Sequence, residues 1–284
     1  MKSKIGLALG SGSARGWSHI GVLRALAERG VEPDIVCGCS IGALVGAAYV
    51  DGDLDKLERW VSTLTWQEVL GLLDVSLVGG LIKGDKLVAF LERHFVDKDF
   101  AALPKPFACV ATDLENGREV WLREGSVAAA VRASIALPGL FKPRRVNARI
   151  LVDGGLVNPV PVSLCRALGA DLVIAVDLGS DRVGRIGPPV PEASGRQPWW
   201  RRLGGGSTAE SLPSVADTLS ASIHIMQVRI ARSRMAGEPP DVAIAPRLGH
   251  LGLMDYHRGG EAIAEGVAAV ERLWPAIRHA LEIA

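Results

Sequence analysis

A serine flanked by two glycines is the residue pattern in this chain that most directly suggests chemistry. Residues 38–42 read Gly-Cys-Ser-Ile-Gly, a G-x-S-x-G pattern centred on Ser40, and they lie between a predicted strand and a predicted helix. In such a turn Gly38 and Gly42 remove side chains that would clash, and the serine hydroxyl is exposed at the end of the sheet. The helix that follows directs its unpaired N–H groups toward an anion formed there. The spacing predicts a nucleophile, with a tight structural turn as the alternative.

A second glycine-rich turn, at residues 10–16, follows the first predicted strand and precedes the first predicted helix. It reads Gly-Ser-Gly-Ser-Ala-Arg-Gly. A G-x-G turn in this place is also the phosphate-binding signature of dinucleotide-binding folds. Here the last glycine comes one residue late, and Ser40 stands at the end of the second strand, where a ribose-binding acid is expected. The loop therefore favours an oxyanion hole beside the serine over a nucleotide site.

The small residues of this loop let backbone N–H groups approach a developing alkoxide. Arg15 either orients the loop, meets a phosphate or forms a structural ion pair, and the sequence leaves these three roles open. The residues assigned to the candidate oxyanion hole are Gly12, Ser13, Ala14 and Arg15, and the glycines that shape the loop are Gly10 and Gly16.

A serine nucleophile needs a base, and Asp153 is the best candidate. It comes directly after the apolar strand predicted at 149–152. Gly154 and Gly155 follow it and leave its carboxylate uncrowded. Ligands of open α/β sheets bind at the carboxyl ends of the strands. An Asp-Gly-Gly sequence alone is an ordinary turn, but beside the serine and the glycine-rich loop it predicts the base. Asp177, at the end of another predicted strand, is interpreted as structural.

The histidines offer no obvious alternative base, because none stands at a clear strand-end turn and most lie on predicted helices. In α/β-hydrolases the nucleophile is followed along the chain by an acid and then a histidine, and several strands precede it. Ser40 follows only the second predicted strand, which fits that fold poorly. The six histidines are His19, His94, His224, His250, His257 and His279.

Short apolar stretches alternate with stretches of helical periodicity, which indicates strands buried on both faces between helices. We therefore expect an α/β fold, a three-layer α/β/α sandwich with a mostly parallel central sheet. The predicted strands are 5–9, 35–39, 107–111, 119–122, 149–152, 172–177 and 241–245; the predicted helices are 18–28, 41–49, 85–95 and 216–235, with one starting at 53 and one from about 260.

The chain reads as a single domain over 1–284 with a mobile loop at 181–214, where Gly, Pro, Arg and Ser are in excess. The segment after the loop is too short to fold alone. Within the loop, Trp199-Trp200-Arg201-Arg202 pairs aromatic and basic side chains as interfacial membrane anchors do, and a solvated basic loop is the alternative. A second basic cluster is placed to meet an anionic head group, with the same alternative; it consists of Lys142, Arg144, Arg145 and Arg149.

Composition excludes several classes of protein. The net charge is 32 − 31 = +1, which argues against a nucleic-acid binder. The four cysteines lack metal-finger and C-x-x-C spacing. No signal-like or membrane-spanning apolar run is present, so the cytoplasm is the default compartment, with peripheral contact at the inner membrane face left open. We expect no metal and no cofactor, and therefore activity that survives EDTA.

The loop that carries Arg15, the turn at Ser40 and the Asp-Gly-Gly at 153–155 together resemble the patatin-like phospholipases, serine hydrolases that use a Ser–Asp dyad. Residues 132–139 are similar to the A-S-x-A-x-P block of that family, and the Asn-Pro-Val-Pro at 158–161 follows the aspartate as in its bacterial members. The resemblance covers nearly the whole chain. It is greatest to the short bacterial (RssA-type) branch, which is similar to the catalytic domain of neuropathy target esterase.

This resemblance implies a patatin-like fold and two-step acyl transfer, in which Asp153 accepts the proton of Ser40 and an acyl-enzyme forms and is hydrolysed. An aspartate of ordinary pKa is a weak base. We therefore expect Asp153 to be partly desolvated and close to Ser40, with its pKa raised. One departure is that Ser11 and Ser13 stand where patatin has glycines, so the loop geometry depends on whether serine tolerates the local φ and ψ.

The main hypothesis is a hydrolase that cleaves acyl esters of (lyso)phospholipids or related lipids. An acyltransferase with the same dyad, in which an alcohol replaces water, is an alternative that the sequence does not separate from it. A regulatory or binding protein on the same fold is a third hypothesis, against which the intact Ser40, Asp153 and Arg15 weigh. A nucleotide-dependent enzyme is a fourth, which predicts that NAD(P) raises the melting temperature.

Overall fold

The computed structural model describes residues 3–72, 98–181 and 215–282. Three expectations fall outside these ranges. They are the helix predicted at 85–95, the predicted loop at 181–214 except for its first residue, and the Trp-Trp-Arg-Arg sequence at 199–202.

Within the described ranges, the centre of the fold is an eight-stranded mixed sheet. Along its main path the strands follow the order β5-β6-β3-β2-β1-β7-β8, and β4 pairs with β3. The pairs β1–β2, β1–β7, β2–β3 and β7–β8 are parallel, whereas β4, β5 and β6 pair antiparallel. The strands are β1 Ile5–Leu9, β2 Ile35–Cys39, β3 Phe107–Asp113, β4 Glu119–Leu122, β5 Arg144–Val146, β6 Arg149–Asp153, β7 Leu172–Val176 and β8 Val242–Ile244.

Helices cover both faces of this sheet because successive side chains of a buried strand point to opposite sides. Leu7 and Leu9 of β1 pack in a cluster with Ile20 and other apolar residues from the helices of one layer. Ala8, between them, packs on the other side with Leu164. The helices are α1 Ser18–Glu28, α2 Ile41–Asp51, α3 Leu54–Thr63, α4 Trp66–Leu72, α5 Val127–Ser134, α6 Val162–Ala167, α7 Val215–Gly237 and α8 Gly259–Ala280. The predicted three-layer α/β/α class with a mostly parallel sheet is confirmed.

The pairing of β3 brings the ends of two distant strands together. Strand β4 pairs with residues 109–112 of β3, and the same residues also pair with β2 (109–110) or β6 (111–112). Because a strand has two edges, β4 occupies one edge of β3, and β2 and β6 lie one after the other along the opposite edge. On the shared edge Cys39, the last residue of β2, pairs with Val110. Asp153, the last residue of β6, pairs with the next residue, Ala111. Because β6 runs antiparallel to β3, its C-terminal end meets the C-terminal end of β2, immediately before Ser40.

Candidate active site

Ser40 occupies a sharp turn between β2 and α2. Its backbone has φ 54° and ψ −123°, a conformation that non-glycine residues adopt rarely and that is typical of a strained nucleophile turn. Both neighbouring glycines are required sterically. A Cβ on Gly42 would lie 2.2 Å from the carbonyl oxygen of Leu9, and one on Gly38 would lie 2.4 Å from the Cα of Ala43. The start of α2 therefore lies in close contact with the end of β1, and this packing fixes the direction of the Ser40 side chain.

The Ser40 hydroxyl and the Asp153 carboxylate form a direct hydrogen bond. Ser40 Oγ donates to Asp153 Oδ2 at 2.6 Å, and the N–H of Gly155 donates to the other oxygen, Oδ1, at 2.7 Å. The Asp153 side chain is fully buried. Burial raises its pKa from 3.8 to about 6, although the hydrogen bonds from Ser40 and Gly155 act in the opposite direction. The expected proximity, desolvation and raised pKa are therefore all present.

A carboxylate with this environment is suited to proton transfer. Its distance to the serine oxygen is within the range that general base catalysis needs. Its raised pKa also brings its proton affinity closer to that required near neutral pH, where an ordinary aspartate is too acidic to be an effective base. The arrangement can therefore activate Ser40 as a nucleophile without a histidine between the two residues.

Ser134, at the end of α5, stabilises the turn at Ser40, a role that sequence analysis did not predict. The backbone N–H of Ser40 donates to Ser134 Oγ at 2.9 Å, and Ser134 Oγ donates to the carbonyl oxygen of Val110 at 2.7 Å. Ser134 is fully buried. A hydroxyl between two apolar neighbours, Ala133 and Ile135, is the signal that points to such a buried hydrogen bond.

The glycine-rich loop lies against the same cavity as Ser40, and neighbouring segments hold its ends. Gly10 N–H donates to the carbonyl oxygen of Val176 at 3.0 Å, and Ser11 N–H donates to that of Pro159 at 2.8 Å. The loop continues into a 3-10 turn, Ser13–Trp17, that leads into α1. This anchoring places the middle of the loop beside the nucleophile.

Gly12 and Ser13, which were both assigned to the oxyanion hole, have N–H groups suited to it. For Gly12 and Ser13, which precede the first complete turn of the 3-10 segment, we find no backbone acceptor among the described residues. The N–H of Ala14, in contrast, donates to the carbonyl oxygen of Leu253 at 3.1 Å. Ala14 is therefore left out of the candidate hole, because its donor is already engaged.

Arg15 is buried, and its side chain connects the glycine-rich loop to the segment after β7 and to α7. Its guanidinium donates to the carbonyl oxygen of Leu178 at 3.1 Å and lies 3.4 Å from Nε2 of His224. Of the three roles left open by the sequence, these contacts favour orientation of the loop. His19 acts on the same loop, since its Nε2 donates to the carbonyl oxygen of Gly10 at 2.8 Å and burial lowers its pKa to about 4. A histidine with so low a pKa is neutral at physiological pH.

Asp177, the lesser candidate, makes a local turn after β7. Its Oδ1 accepts a hydrogen bond from the N–H of Gly179 at 2.9 Å, and burial raises its pKa. It does not line the cavity that contains Ser40 and Asp153. This geometry agrees with its interpretation as a structural residue.

The cavity above the serine is large and mostly apolar. It has a volume of about 870 Å³, counting the space open to solvent at its mouth, and both Ser40 and Asp153 line it. His224 and Gln227 of α7 also line it, although α7 follows Ser40 by more than 170 residues and no pattern in the sequence predicts its presence there. Within the described residues the buried Nε2 of Gln227 makes no hydrogen bond. Apolar side chains in the walls include Trp17, Leu44, Trp60, Ile135, Leu137 and Phe141.

The predicted basic cluster begins at the edge of this cavity. Phe141 lines the cavity, and the chain continues directly into Lys142 and the hairpin formed by β5 and β6, which is exposed at 144–145 and 149 and buried at 151–153. The basic side chains of this segment are exposed. They are therefore accessible to an anionic group outside the cavity, as the sequence suggested.

Two further features concern the surroundings of the site. Among the residues that the structure describes, no group of three or more His, Cys, Asp or Glu is arranged to hold a metal ion. None of the helices in the described ranges is long and apolar enough to cross a bilayer.

Comparisons with known proteins point to one family. A family model for patatin-like phospholipases matches residues 7–166. An NTE family protein of Mycobacterium tuberculosis is 31% identical, over 93% of this chain and 89% of the relative. Human patatin-like phospholipase domain-containing protein 6 is 33% identical over 79% of this chain, and lysophospholipase NTE1 of Mycosarcoma maydis is 34% identical over the same share. This chain spans only 17% and 12% of those two longer proteins.

The fold has a counterpart among solved structures. The crystal structure of VipD from Legionella pneumophila superposes with a TM-score of 0.58 at 16% identity. The match covers 97% of this chain and 67% of VipD. At this identity the likeness concerns the fold alone.

Proposed function

The chain belongs to the patatin-like phospholipase family, a family of lipid ester hydrolases, and from this premise we propose that it cleaves acyl esters of (lyso)phospholipids or related lipids through a Ser40–Asp153 dyad. The observation that carries the proposal is the 2.6 Å hydrogen bond from Ser40 Oγ to the buried Asp153 carboxylate. The strained turn at Ser40, which presents this hydroxyl to an apolar cavity, supports it.

In the first step Asp153 accepts the hydroxyl proton of Ser40 while Oγ attacks the carbonyl carbon of the ester. The carbonyl oxygen becomes an oxyanion, which accepts hydrogen bonds from the N–H groups of Gly12 and Ser13. When the C–O bond to the alcohol breaks, Asp153 returns the proton to the departing alkoxide, and the acyl group stays on Ser40. Water then attacks the acyl-enzyme with Asp153 again as base, which releases the fatty acid and restores the Ser40 hydroxyl.

The cavity walls favour an acyl chain as the substrate's apolar part. Side chains such as Leu44, Trp60 and Leu137 remove a hydrocarbon chain from water, which contributes roughly 0.8 kcal/mol per buried CH₂ group. Nε2 of Gln227, for which the described residues offer no hydrogen-bond partner, provides a donor for a polar group near the ester. A lipid whose ester lies between an apolar chain and a polar alcohol fits this distribution.

Peripheral contact with a membrane is part of the proposal. Helix α7, which lines the cavity through Gln227, exposes Leu219, Ile225 and Met226, each to about half of its full extent. Exposed basic residues lie on the β5–β6 hairpin, which begins beside the cavity. Apolar and basic groups on the outside of a protein are the combination that binds the surface of an anionic bilayer.

The test is fluorophosphonate labelling combined with hydrolysis of a short p-nitrophenyl ester. We expect the label on Ser40 in the wild type, and a loss of about 1,000-fold or more in kcat for Ser40→Ala and Asp153→Asn. Ser62→Ala, at an exposed position of α3, and Asp177→Asn, a buried strand-end aspartate outside the cavity, are matched controls and retain wild-type rates. Label on another residue, or folded Ser40→Ala protein that hydrolyses at the wild-type rate, would overturn the proposal.

A further inference from the structure

A segment near the C-terminal end of the chain holds the side chain of Ser13. Ser13 Oγ lies 2.6 Å from the carbonyl oxygen of Leu253 and 2.6 Å from the hydroxyl of Tyr256. The carbonyl can only accept, so the single hydroxyl proton of Ser13 is donated to Leu253. The hydroxyl of Tyr256 must therefore donate to Ser13 Oγ. The two bonds fix the Ser13 side chain from both sides.

The backbone of Ser13 explains why such fixation is needed. Its φ is 53°, in the left-handed region that a non-glycine residue occupies at an energetic cost. Such a conformation persists where the surrounding structure determines it. Glycine would adopt positive φ here without strain, whereas serine does not. In this chain the two hydrogen bonds of the Ser13 hydroxyl, with Leu253 and Tyr256, stabilise the strained backbone of the loop.

We propose that Tyr256 is a positioning residue for the reaction: through Ser13 Oγ it holds the Ser13 backbone so that the Ser13 N–H faces the oxyanion. This inference rests on the proposed function, because it assumes that the loop at 10–16 stabilises an oxyanion. Both residues line the cavity that contains Ser40, so the hydrogen bond between them lies in the wall of the cavity in which the ester reacts.

The hydroxyl of Tyr256 can be separated experimentally from the packing of its ring. The ring packs edge to face against the ring of Trp17, with 6.0 Å between the ring centroids. The indole Nε1 of Trp17 donates to the backbone carbonyl oxygen of Tyr256 at 3.2 Å. Neither contact uses the phenolic hydroxyl, so phenylalanine keeps both. Burial raises the pKa of Tyr256, so its hydroxyl stays protonated and able to donate throughout the neutral range.

The experiment is a double-mutant cycle with Tyr256→Phe and Ser13→Gly, measured with a short p-nitrophenyl ester. In the wild-type background we expect Tyr256→Phe to lower kcat about 10-fold with KM changed by less than about 2-fold, because loss of an oxyanion donor costs about 100- to 1,000-fold and a displaced donor costs less. The rate of fluorophosphonate labelling falls by the same factor. In the Ser13→Gly background no hydroxyl remains to be held, so Tyr256→Phe changes kcat by less than about 2-fold.

Tyr49→Phe is the matched control, because Tyr49 and Tyr256 are the two tyrosines of the chain. Tyr49 lies outside the cavity, beside Lys105, and its variant keeps wild-type kcat in both backgrounds. Equal losses from Tyr256→Phe in the two backgrounds, or a rise in KM at constant kcat, would overturn the inference while leaving an active, labelled wild type. Absence of Ser40 labelling and of hydrolysis in the wild type would instead overturn the proposed function, and this inference with it.

Discussion

Ser40 and Asp153 meet because β2 and β6, which run in opposite directions, end next to each other on one edge of β3. Their hydrogen bond of 2.6 Å therefore joins two residues whose backbones are fixed by sheet pairing. Side chains held in this way need little rearrangement to reach a reactive geometry. The antiparallel direction of β6 is essential, since a parallel strand would bring its N-terminal end to this place.

The rate of hydrolysis is expected to depend on the ionisation of Asp153. Only the carboxylate form accepts the proton of Ser40, and burial raises its pKa to about 6. We therefore expect kcat/KM to be low at pH 5, to rise about 10-fold per pH unit below pH 6, and to level off above about pH 7. A pH–rate profile from pH 4.5 to 8.5 with a short p-nitrophenyl ester measures this.

A histidine could produce a similar profile, and His224 lines the same cavity. We expect the inflection to persist near pH 6 in a His224→Gln variant, whatever the change in absolute rate. If the inflection disappears in that variant, Asp153 is not the group that titrates. A profile flat down to pH 4.5 in the wild type would also contradict the prediction, because it would require an aspartate of ordinary pKa.

The same buried carboxylate is expected to destabilise the fold. Its pKa is about 6 in the folded protein and 3.8 in the absence of burial, so the folded state binds the proton more tightly and the contribution of Asp153 to stability falls as pH rises from about 4 to about 6. Asp153→Asn carries no charge and should exceed the wild type in free energy of unfolding by a few kcal/mol at most at pH 7.5, and by less at pH 4.5. Urea unfolding at the two pH values measures the difference. A variant that is less stable than the wild type at pH 7.5, or a pH-independent difference, would contradict this reasoning.

Ser134 is expected to contribute to both stability and rate. Ser134→Ala removes the acceptor for the Ser40 N–H and leaves that buried donor unpaired, which costs about 1–3 kcal/mol of unfolding free energy. Because the lost bond holds the strained turn, kcat should also fall, by about 10-fold. Urea unfolding and kcat are the measurements, with Ser126→Ala, which removes the N-terminal cap of α5, as a control that lowers stability by about 1 kcal/mol without lowering kcat. An equal loss of kcat in the two variants would show that the effect is one of general destabilisation.

The parts of this site that the sequence predicted are those encoded by short, local patterns. The glycines at 38 and 42 mark the turn because each lies where a Cβ would meet backbone atoms. Strands β1 and β2 and helix α1 begin and end at the predicted residues, since their hydrophobic periods are uninterrupted. The dyad hypothesis needed only two such patterns at strand ends.

What the sequence did not predict depends on contacts between distant segments. Ser134 acts on Ser40 from 94 positions away, and Tyr256 acts on Ser13 across 243 positions. Contacts between residues so far apart produce no repeat or characteristic spacing that a reading of the sequence could detect. The engagement of the Ala14 N–H by Leu253 has the same origin, which is why the predicted oxyanion loop included one residue whose donor is not available.

The apolar cavity is expected to discriminate between acyl chains by length. Leu137 is a partly buried residue of the cavity wall, and Leu137→Trp adds an indole ring to that space. We expect kcat/KM for a dodecanoyl ester to fall at least about 10-fold, the equivalent of about 1.4 kcal/mol, while that for an acetyl ester changes by less than about 2-fold. Leu114→Trp, at an exposed position outside the cavity, is the control. Equal losses for both esters would place the acyl chain elsewhere.

The close approach of α2 to β1 at Gly42 predicts opposite effects for one substitution at two glycines. Alanine favours a helix over glycine by up to about 1 kcal/mol. Gly260→Ala, near the start of α8, adds a Cβ that has no atom of the described residues within 4 Å, so it should raise the free energy of unfolding by up to that amount. At Gly42 the same methyl group would lie 2.2 Å from the carbonyl oxygen of Leu9. Strand β1 or helix α2 must then move, which outweighs the helix preference and lowers the free energy of unfolding by about 2 kcal/mol or more. Urea unfolding of the two variants measures both effects, and because Gly42 follows the nucleophile by two residues, the displaced turn should also lower the rate of Ser40 labelling in the variant at 42 alone. A Gly42→Ala protein as stable and as readily labelled as the wild type would show that the turn does not depend on this contact.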